Sequence, residues 1–476
     1  MKKKSRLKRA EGILPFTLEE VEGQSHLTAH AGLPLVAETF RASGAWAAVD
    51  GSLRTRSRLR ERGLTDAELV ESFCVLLAAG GECIEDFNVL REDEALASLI
   101  GHEFPSPARA KEFLYAFERQ EGRGAEVAGQ GALWEGGGPL AGLAEALRAT
   151  LRAAQRERPV QEATIDLDAT IIESEKRQAQ MTYRGERGYQ PVLALWAEKD
   201  MVLADEFRDG NVPAGTGLLD VLKAAVAALP EGVEKVSLRS DSAGYEHRLL
   251  NWCRDEAHIT FAISADMSVE LRSAIEALPA EAWGLLEVKG GVARSWAEVE
   301  FIPSAPSVVK GRRPDRYVAI KLEPAQGELF ADGTRVKYYA VVTNDWARPG
   351  GELLEWHRQK AGTVEKLHDV LKNELGAGVM PCGRFGANAA WLRLNALTQN
   401  VLALLKQTAL PEELRKARPK RLRFLVLCVA GQVIHHARSI VLRVVRGGRV
   451  MGWLGQARRA LSAMQWRARA PSLAAT

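Results

Sequence analysis

Residues 163–172 read ATIDLDATII, and this stretch decides the fold. Its β-branched and apolar residues predict a strand. Side chains alternate across a strand, so Asp166 and Asp168 leave one face, and Ile165, Leu167 and Ala169 leave the other. An acid pair on an otherwise apolar strand is costly to bury unless a cation or hydrogen-bond donors offset it. Downstream, Gln190–Ala197 and Met201–Arg208 predict two more strands, separated by the polar Glu198-Lys199-Asp200, which suits a hairpin. A helix fits Gly217–Leu229, ended by Pro230. Val233–Asp241, Glu246–Glu256 and His258–Ser264 then predict strand, helix and strand. Three hairpin-linked strands followed by helix–strand–helix–strand predict a mixed five-stranded α/β sheet with an antiparallel edge.

Two further acids take their meaning from this frame. Asp241 ends the fourth strand, just before Ser242-Ala243-Gly244, and carboxyl ends of strands are where α/β sheets expose ligand sites. Trp283–Asp345 is rich in β-branched and aromatic residues and predicts a β-rich insertion. Helix resumes over Gly351–Glu374, where Val364, Leu367 and Leu371 form an apolar stripe and Glu365, His368 and Lys372 lie along an adjoining face. An apolar helix with Asn388 as N-cap covers Asn388–Leu405. Acids on strand one, at the end of strand four and on a late helix suit two-metal phosphoryl transfer, in which two Mg²⁺ ions take hard carboxylate oxygens. Mn²⁺ is expected to substitute.

The first 150 residues read as helical. Thr65-Asp-Ala-Glu68 is a capping box, Gly80-Gly81 stops the run, and Ser106-Pro107 opens a helix over Ala108–Gln120. Arg109 and Lys111 leave two readings open, a DNA-reading helix-turn-helix and a plain helical bundle. Gly129–Gly138 reads as a loop or linker.

The whole chain has 476 residues, 46% hydrophobic and 26% charged, which excludes collagen-like, wholly disordered and disulfide-stapled classes. Its net charge of +3 conceals a gradient. Residues 411–476 hold fourteen Lys or Arg against Glu412 and Glu413, and Met1–Arg9 holds six more bases. The tail's cationic, partly apolar helices suit a phosphate backbone. Five scattered cysteines without a CxxC pair fit a reducing cytoplasm. No membrane span is predicted; the most apolar stretch, Phe424–Ile434, is short and contains Gln432.

The acidic constellation resembles the RNase H-like core of DDE transposases. Asp168-Ala169-Thr170 resembles the block carrying the first catalytic Asp, and Arg239-Ser240-Asp241-Ser242-Ala243-Gly244-Tyr245 the second. Glu365 and Lys372 match the end of the Tyr–Arg–Glu–Lys signature of the broad IS-four-like group, while Arg358 and Ala361 stand where that signature has Tyr and Arg. The motifs LREDEALASLIG, FPSPARAKEFL, YRGERGYQPVLAL, FRDGNVPAGTG, KAGTVEKLHDVLKNELGAG and CGRFGANAAWLRLNALTQN are similar to the IS-thirteen-eighty family of bacterial insertion sequences.

The resemblance selects Asp168 over Asp166. It implies Asp168, Asp241 and Glu365 as catalytic, two-Mg²⁺-binding acids, with Lys372, Arg358, Lys360 and Arg208 approaching DNA. It further implies cleavage at terminal inverted repeats, strand transfer into target DNA, a homodimer holding two ends, and no small-molecule substrate. Five regions are expected: 1–150 for DNA binding or dimerisation, 155–275 and 346–410 as the split core, 276–345 as the insertion, and 411–476 as a basic helical tail. Two rivals share these features: a nuclease of the same fold that never joins, and a DNA-binding regulator that has lost catalysis. Asn211, the Gly383–Gly386 turn, Trp283 and Trp296 (as base-stacking residues) and His435-His436 are weaker candidates, each also explicable as turn, packing or surface residues.

Overall fold

A computed structural model describes residues 26–55, 63–121, 138–303, 314–324, 328–436, 439–445 and 448–469. The basic cluster Met1–Arg9 and most of the glycine-rich stretch, 129–137, lie outside them.

All five strands expected around ATIDLDATII form: β1 (Glu162–Ala169), β2 (Val192–Trp196), β3 (Met201–Glu206), β4 (Lys235–Ser240) and β5 (Ile259–Ser264). β1 and β2 are antiparallel, as are β2 and β3, whereas β1–β4 and β4–β5 are parallel. The crossover helices are α6 (Leu218–Ala228) and α7 (His247–Asp255); the N-terminal helices α1 to α5 are given below.

The sheet does not stop at five strands. The β-rich segment forms β6 (Gly284–Lys289), β7 (Val292–Val299), β8 (Arg316–Pro324) and β9 (Lys337–Thr343). β9 lies antiparallel to β5, with Val342 opposite Ile263. Among the described residues this makes one nine-stranded sheet, ordered β6-β7-β8-β9-β5-β4-β1-β2-β3. The expected five-stranded sheet is therefore corrected. A hydrophobic stretch recognised only as strand-forming cannot say whether it pairs with itself or with the edge of an existing sheet.

The longer N-terminal helices are α1 (Pro34–Ala42), α2 (Ala45–Ser52), α3 (Asp66–Ala79), α4 (Pro107–Glu121) and α5 (Pro139–Glu157), with two short helices, Phe87–Glu92 and Glu94–Ile100, between α3 and α4. The capping box of α3 forms as expected: Thr65 Oγ1 accepts from Glu68 N, and Thr65 N donates to Glu68 Oε2. The run ends on Gly80 at φ +105°, a conformation glycine adopts without strain. Arg109 is held by Glu112 at 2.9 Å, and these helices pack as a bundle.

The late helices are α8 (Gly350–Arg358), α9 (Val364–Glu374) and α10 (Phe385–Thr408). The single helix expected over 351–374 is broken by the turn Gln359–Gly362. α10 begins three residues before Asn388, which is thus interior and not a cap; its amide donates to Tyr189 Oη and Cys382 O. Nearly every residue of α10 is buried, and it packs against α3, α4, α5 and β3.

The tail is not wholly helical. β10 (Gly431–His436) and β11 (Ser439–Val444) form a hairpin, and β10 also pairs with Leu27–Thr28 near the other end of the chain. Val433, Ile434, Ile440, Val441 and Val444 give this stretch its β preference. His435 is thus a strand residue, with Nε2 3.1 Å from Ser98 Oγ. The helix α11 (Arg449–Arg469) follows. Among the described residues no helix is long and apolar enough to cross a membrane.

Candidate active site

β1 and β4 run parallel, so their carboxyl ends emerge together. Asp168 stands near the end of β1, and Asp241 follows β4 directly. Asp241 caps the short turn Ser242–Gly244, its Oδ1 accepting from Ala243 N at 3.2 Å. Glu365 sits in the first turn of α9, where the helix dipole favours a carboxylate. The three acids therefore come from three separate elements and meet at the carboxyl ends of two central strands.

Their fields meet at Asp168. Burial pushes its carboxyl up to about 6; the Lys360 ammonium opposes this, and the Asp241 and Glu365 carboxylates add to it. Lys360 Nζ lies 3.3 Å from Asp168 Oδ1, and His368 Nδ1 lies 3.6 Å from Oδ2. Burial, with Lys372 and Lys360, holds His368 down to about 3, and its buried Nε2 has no hydrogen-bond partner. An imidazole in that state is neutral and leaves one nitrogen uncommitted.

Asp166 faces inward and has a different fate. It is fully buried and gripped by Arg239, with Nε to Oδ1 at 2.6 Å and Nη2 to Oδ2 at 2.8 Å. A two-residue repeat places both acids on one face, but only the partner Arg239 distinguishes the ion-paired acid from the one at the strand's end. Thr363, Trp356 and His357 carry no sequence signal of their own, and Arg239 stands out only as part of the block around Asp241. The signal of Arg239 is a basic residue inside an apolar strand, two positions before Asp241.

Beside the acids lies a cavity of about 630 Å³. Asp241, Glu365, Arg358 and Lys360 line one side, and Leu286, Arg294, Ile320 and Tyr339 from the added strands line the other. The strands β6 to β9 thus wall the cleft. Arg358 is at its mouth, ion-paired with Glu287, which also holds Arg294 at 3.2 Å.

The remaining candidates separate. Lys372 is half-buried, its Nζ donating to Ile171 O at 2.7 Å just past β1. Arg208 is corrected as a DNA contact. It is 1% exposed, and its guanidinium donates to the carbonyls of Gln190, Ala214 and Thr216, bracing the loop after β3. The Gly383–Gly386 turn does not hold an open anion cradle, because Gly386 N donates to Glu118 Oε2 at 2.6 Å. Trp296 packs against Gly350 and Gly351, and Trp283 stacks near Tyr338 with Lys321 over its ring, so both are engaged in packing.

Among the described residues no three His, Cys, Asp or Glu side chains are drawn together as a ready metal cage. The donor chemistry nevertheless fits a hard divalent cation. Three carboxylates from separate elements raise each other's cost of ionisation at Asp168, and a cation relieves that cost.

The family model for the transposase DDE domain, group 1, matches residues 19–465. Among solved structures, piggyBac transposase in a synaptic complex with hairpin DNA is similar at 12% identity, over 92% of this chain and 80% of that one, with a TM-score of 0.44. No curated protein matches the chain.

Proposed function

Since the chain belongs to the transposase DDE domain group 1 family and is a DNA transposase, we propose that Asp168, Asp241 and Glu365 are its catalytic acids and hold two Mg²⁺ ions. The observation that carries this is the convergence of the three carboxylates on Asp168, beside a cavity lined by Arg358 and Lys360. The strand order β3-β2-β1-β4-β5 and its polarities support an RNase H-like core, with β6 to β9 as the insertion. The motifs shared with the IS-thirteen-eighty family support a bacterial insertion-sequence element, acting in the cytoplasm as a homodimer on two inverted-repeat ends.

Bound at these acids, the metal supplies Lewis-acid charge that activates an attacking oxygen and stabilises a leaving one. The chain's own residues do the positioning. Lys360, buried beside Asp168, offsets carboxylate charge where a phosphate must approach. Arg358 at the cavity mouth is placed for a backbone phosphate once Glu287 releases it. Lys372 fixes the chain just past β1 through Ile171. Water attacks the phosphodiester at the element end, freeing a 3′-hydroxyl, which then attacks the target strand. The basic N-terminal segment and the basic tail grip the DNA flanking this reaction, and the N-terminal helices serve DNA binding or dimerisation.

The test is end cleavage. Replacing Asp168, Asp241 or Glu365 singly by Ala is expected to abolish Mg²⁺-dependent cleavage of inverted-repeat ends, with end binding retained in gel shifts. Undiminished cleavage in any one variant removes that residue from the site.

A further inference from the structure

Beneath the three acids lies a second set with the same spacing. Asp166, Arg239 and Thr363 each stand two residues before Asp168, Asp241 and Glu365. In the parallel ladder Asp166 is directly opposite Arg239. Both are almost wholly buried, and their contact is two-pronged. Thr363 sits at the N-cap of α9 but does not cap it; its hydroxyl donates instead to Asp166 Oδ2. A cap side chain normally serves its own helix, so this one is diverted to lash α9 onto β1. Arg239 Nη1 extends the tie to α8 by donating to Trp356 O at 2.7 Å, and the guanidinium groups of Arg239 and Arg348 lie 5.2 and 4.4 Å from the centre of the Trp356 ring. His357 Nε2 donates to Ser240 O at 3.0 Å, next to Asp241.

From this juxtaposition we infer that Asp166, Arg239 and Thr363 are positioning residues that set the separation of the three catalytic carboxylates, and so the affinity of the site for divalent metal. This rests on the proposed role of Asp168, Asp241 and Glu365. Each member reaches a different acid through one short piece of backbone. Asp166 fixes the end of β1, Arg239 the end of β4, and Thr363 the first turn of α9. One buried carboxylate, Asp166, receives the other two, so a shift at any one moves the acids relative to each other. Outer ligands of this kind typically govern metal affinity roughly ten- to a hundredfold.

The experiment uses the full chain and Mn²⁺ alone as probe, with free Mn²⁺ read by electron paramagnetic resonance. Thr363→Val removes the hydroxyl at nearly constant volume. It is expected to weaken Mn²⁺ binding about tenfold and to raise the Mn²⁺ needed for end cleavage, with the fold retained by circular dichroism. Thr363→Ser restores the hydroxyl and is expected to restore both. Arg239→Lys keeps the charge but not the two-pronged grip, and is expected to lose Mn²⁺ affinity while still folding by circular dichroism. Parental Mn²⁺ affinity in Thr363→Val, or equal loss in Thr363→Ser, overturns the inference. Glu365→Ala separates the two levels: if it keeps Mn²⁺ affinity and cleavage, the acid assignment itself has failed.

Discussion

At the scale of residues, Asp166 and Asp168 show how one strand face serves two purposes. Asp168 is held near 6, against an ordinary 3.8, first by burial and then by its acidic neighbours, with Lys360 opposing. An acid whose folded pKa exceeds its unfolded one costs stability when ionised. That cost is full above about 6, shrinks as pH falls through 6, and is gone below the ordinary value. Asp168→Asn should therefore stabilise the metal-free protein at pH 8 by up to about 3 kcal/mol. The gain should fade between pH 6 and pH 4, as read from melting curves; an equal gain at both ends of that range would refute the assignment of the shift to Asp168. Asp166 behaves oppositely. Asp166→Ala leaves the Arg239 guanidinium buried and unpaired, and is expected to cost roughly 3–5 kcal/mol in denaturant unfolding. Sequence placed both acids on one face because the strand period is two. Periodicity alone could not rank them, because rank depends on a partner 73 residues away; only the resemblance of Asp168-Ala169-Thr170 to a known block chose Asp168.

At the scale of elements, strands β1 to β5 were legible because alternation, turn dipeptides and helix stops all agreed. The hairpin β10–β11 was not, because its strand-forming residues lie among arginines that suit a cationic helix equally well. The break between α8 and α9 was also hidden: Gly362 weakens the helix there, but only the diversion of Thr363 toward Asp166 fixes the break. The join between insertion and core is tight at Gly350, where an added Cβ would lie 2.4 Å from Trp296 Cζ3. Gly350→Ala should push Trp296 off its packing position and cost about 1–3 kcal/mol. Reduced end cleavage is expected alongside, because β7 and α8 both wall the cavity. A variant with parental stability would show that Trp296 moves freely.

At the scale of the whole molecule, the basic tail divides its charge. Arg418 is ion-paired with Asp369 and Glu374 on the outer side of α9, and Arg423 donates to the carbonyls of Leu77, Ala78 and Glu374. Arg458 and Arg467 pair with Glu38 and Glu157. Arg443 and Arg459 are exposed and make no ion pair among the described residues. Replacing Arg443 or Arg459 by Ala should lower the slope of log affinity against log salt by about one each, if each meets a phosphate. Arg418→Ala should instead lower the melting temperature and leave that slope unchanged. Composition showed that the tail is basic; it could not show how much of that charge is spent within the protein, because the acidic partners lie far away in sequence.

The buried helix α10 has a consequence for how the enzyme comes into being. Its residues fill the space between the N-terminal bundle and β3, yet they follow the last residue of α3 by about 300 positions in the chain. Until α10 is in place α3, α4 and α5 lack the helix they share, and contacts across so many residues are slow to gain. A chain without α10 lacks the helix that α3, α4, α5 and β3 all pack against. A chain cut short before α10 is therefore expected to lose its folded core, as read by circular dichroism.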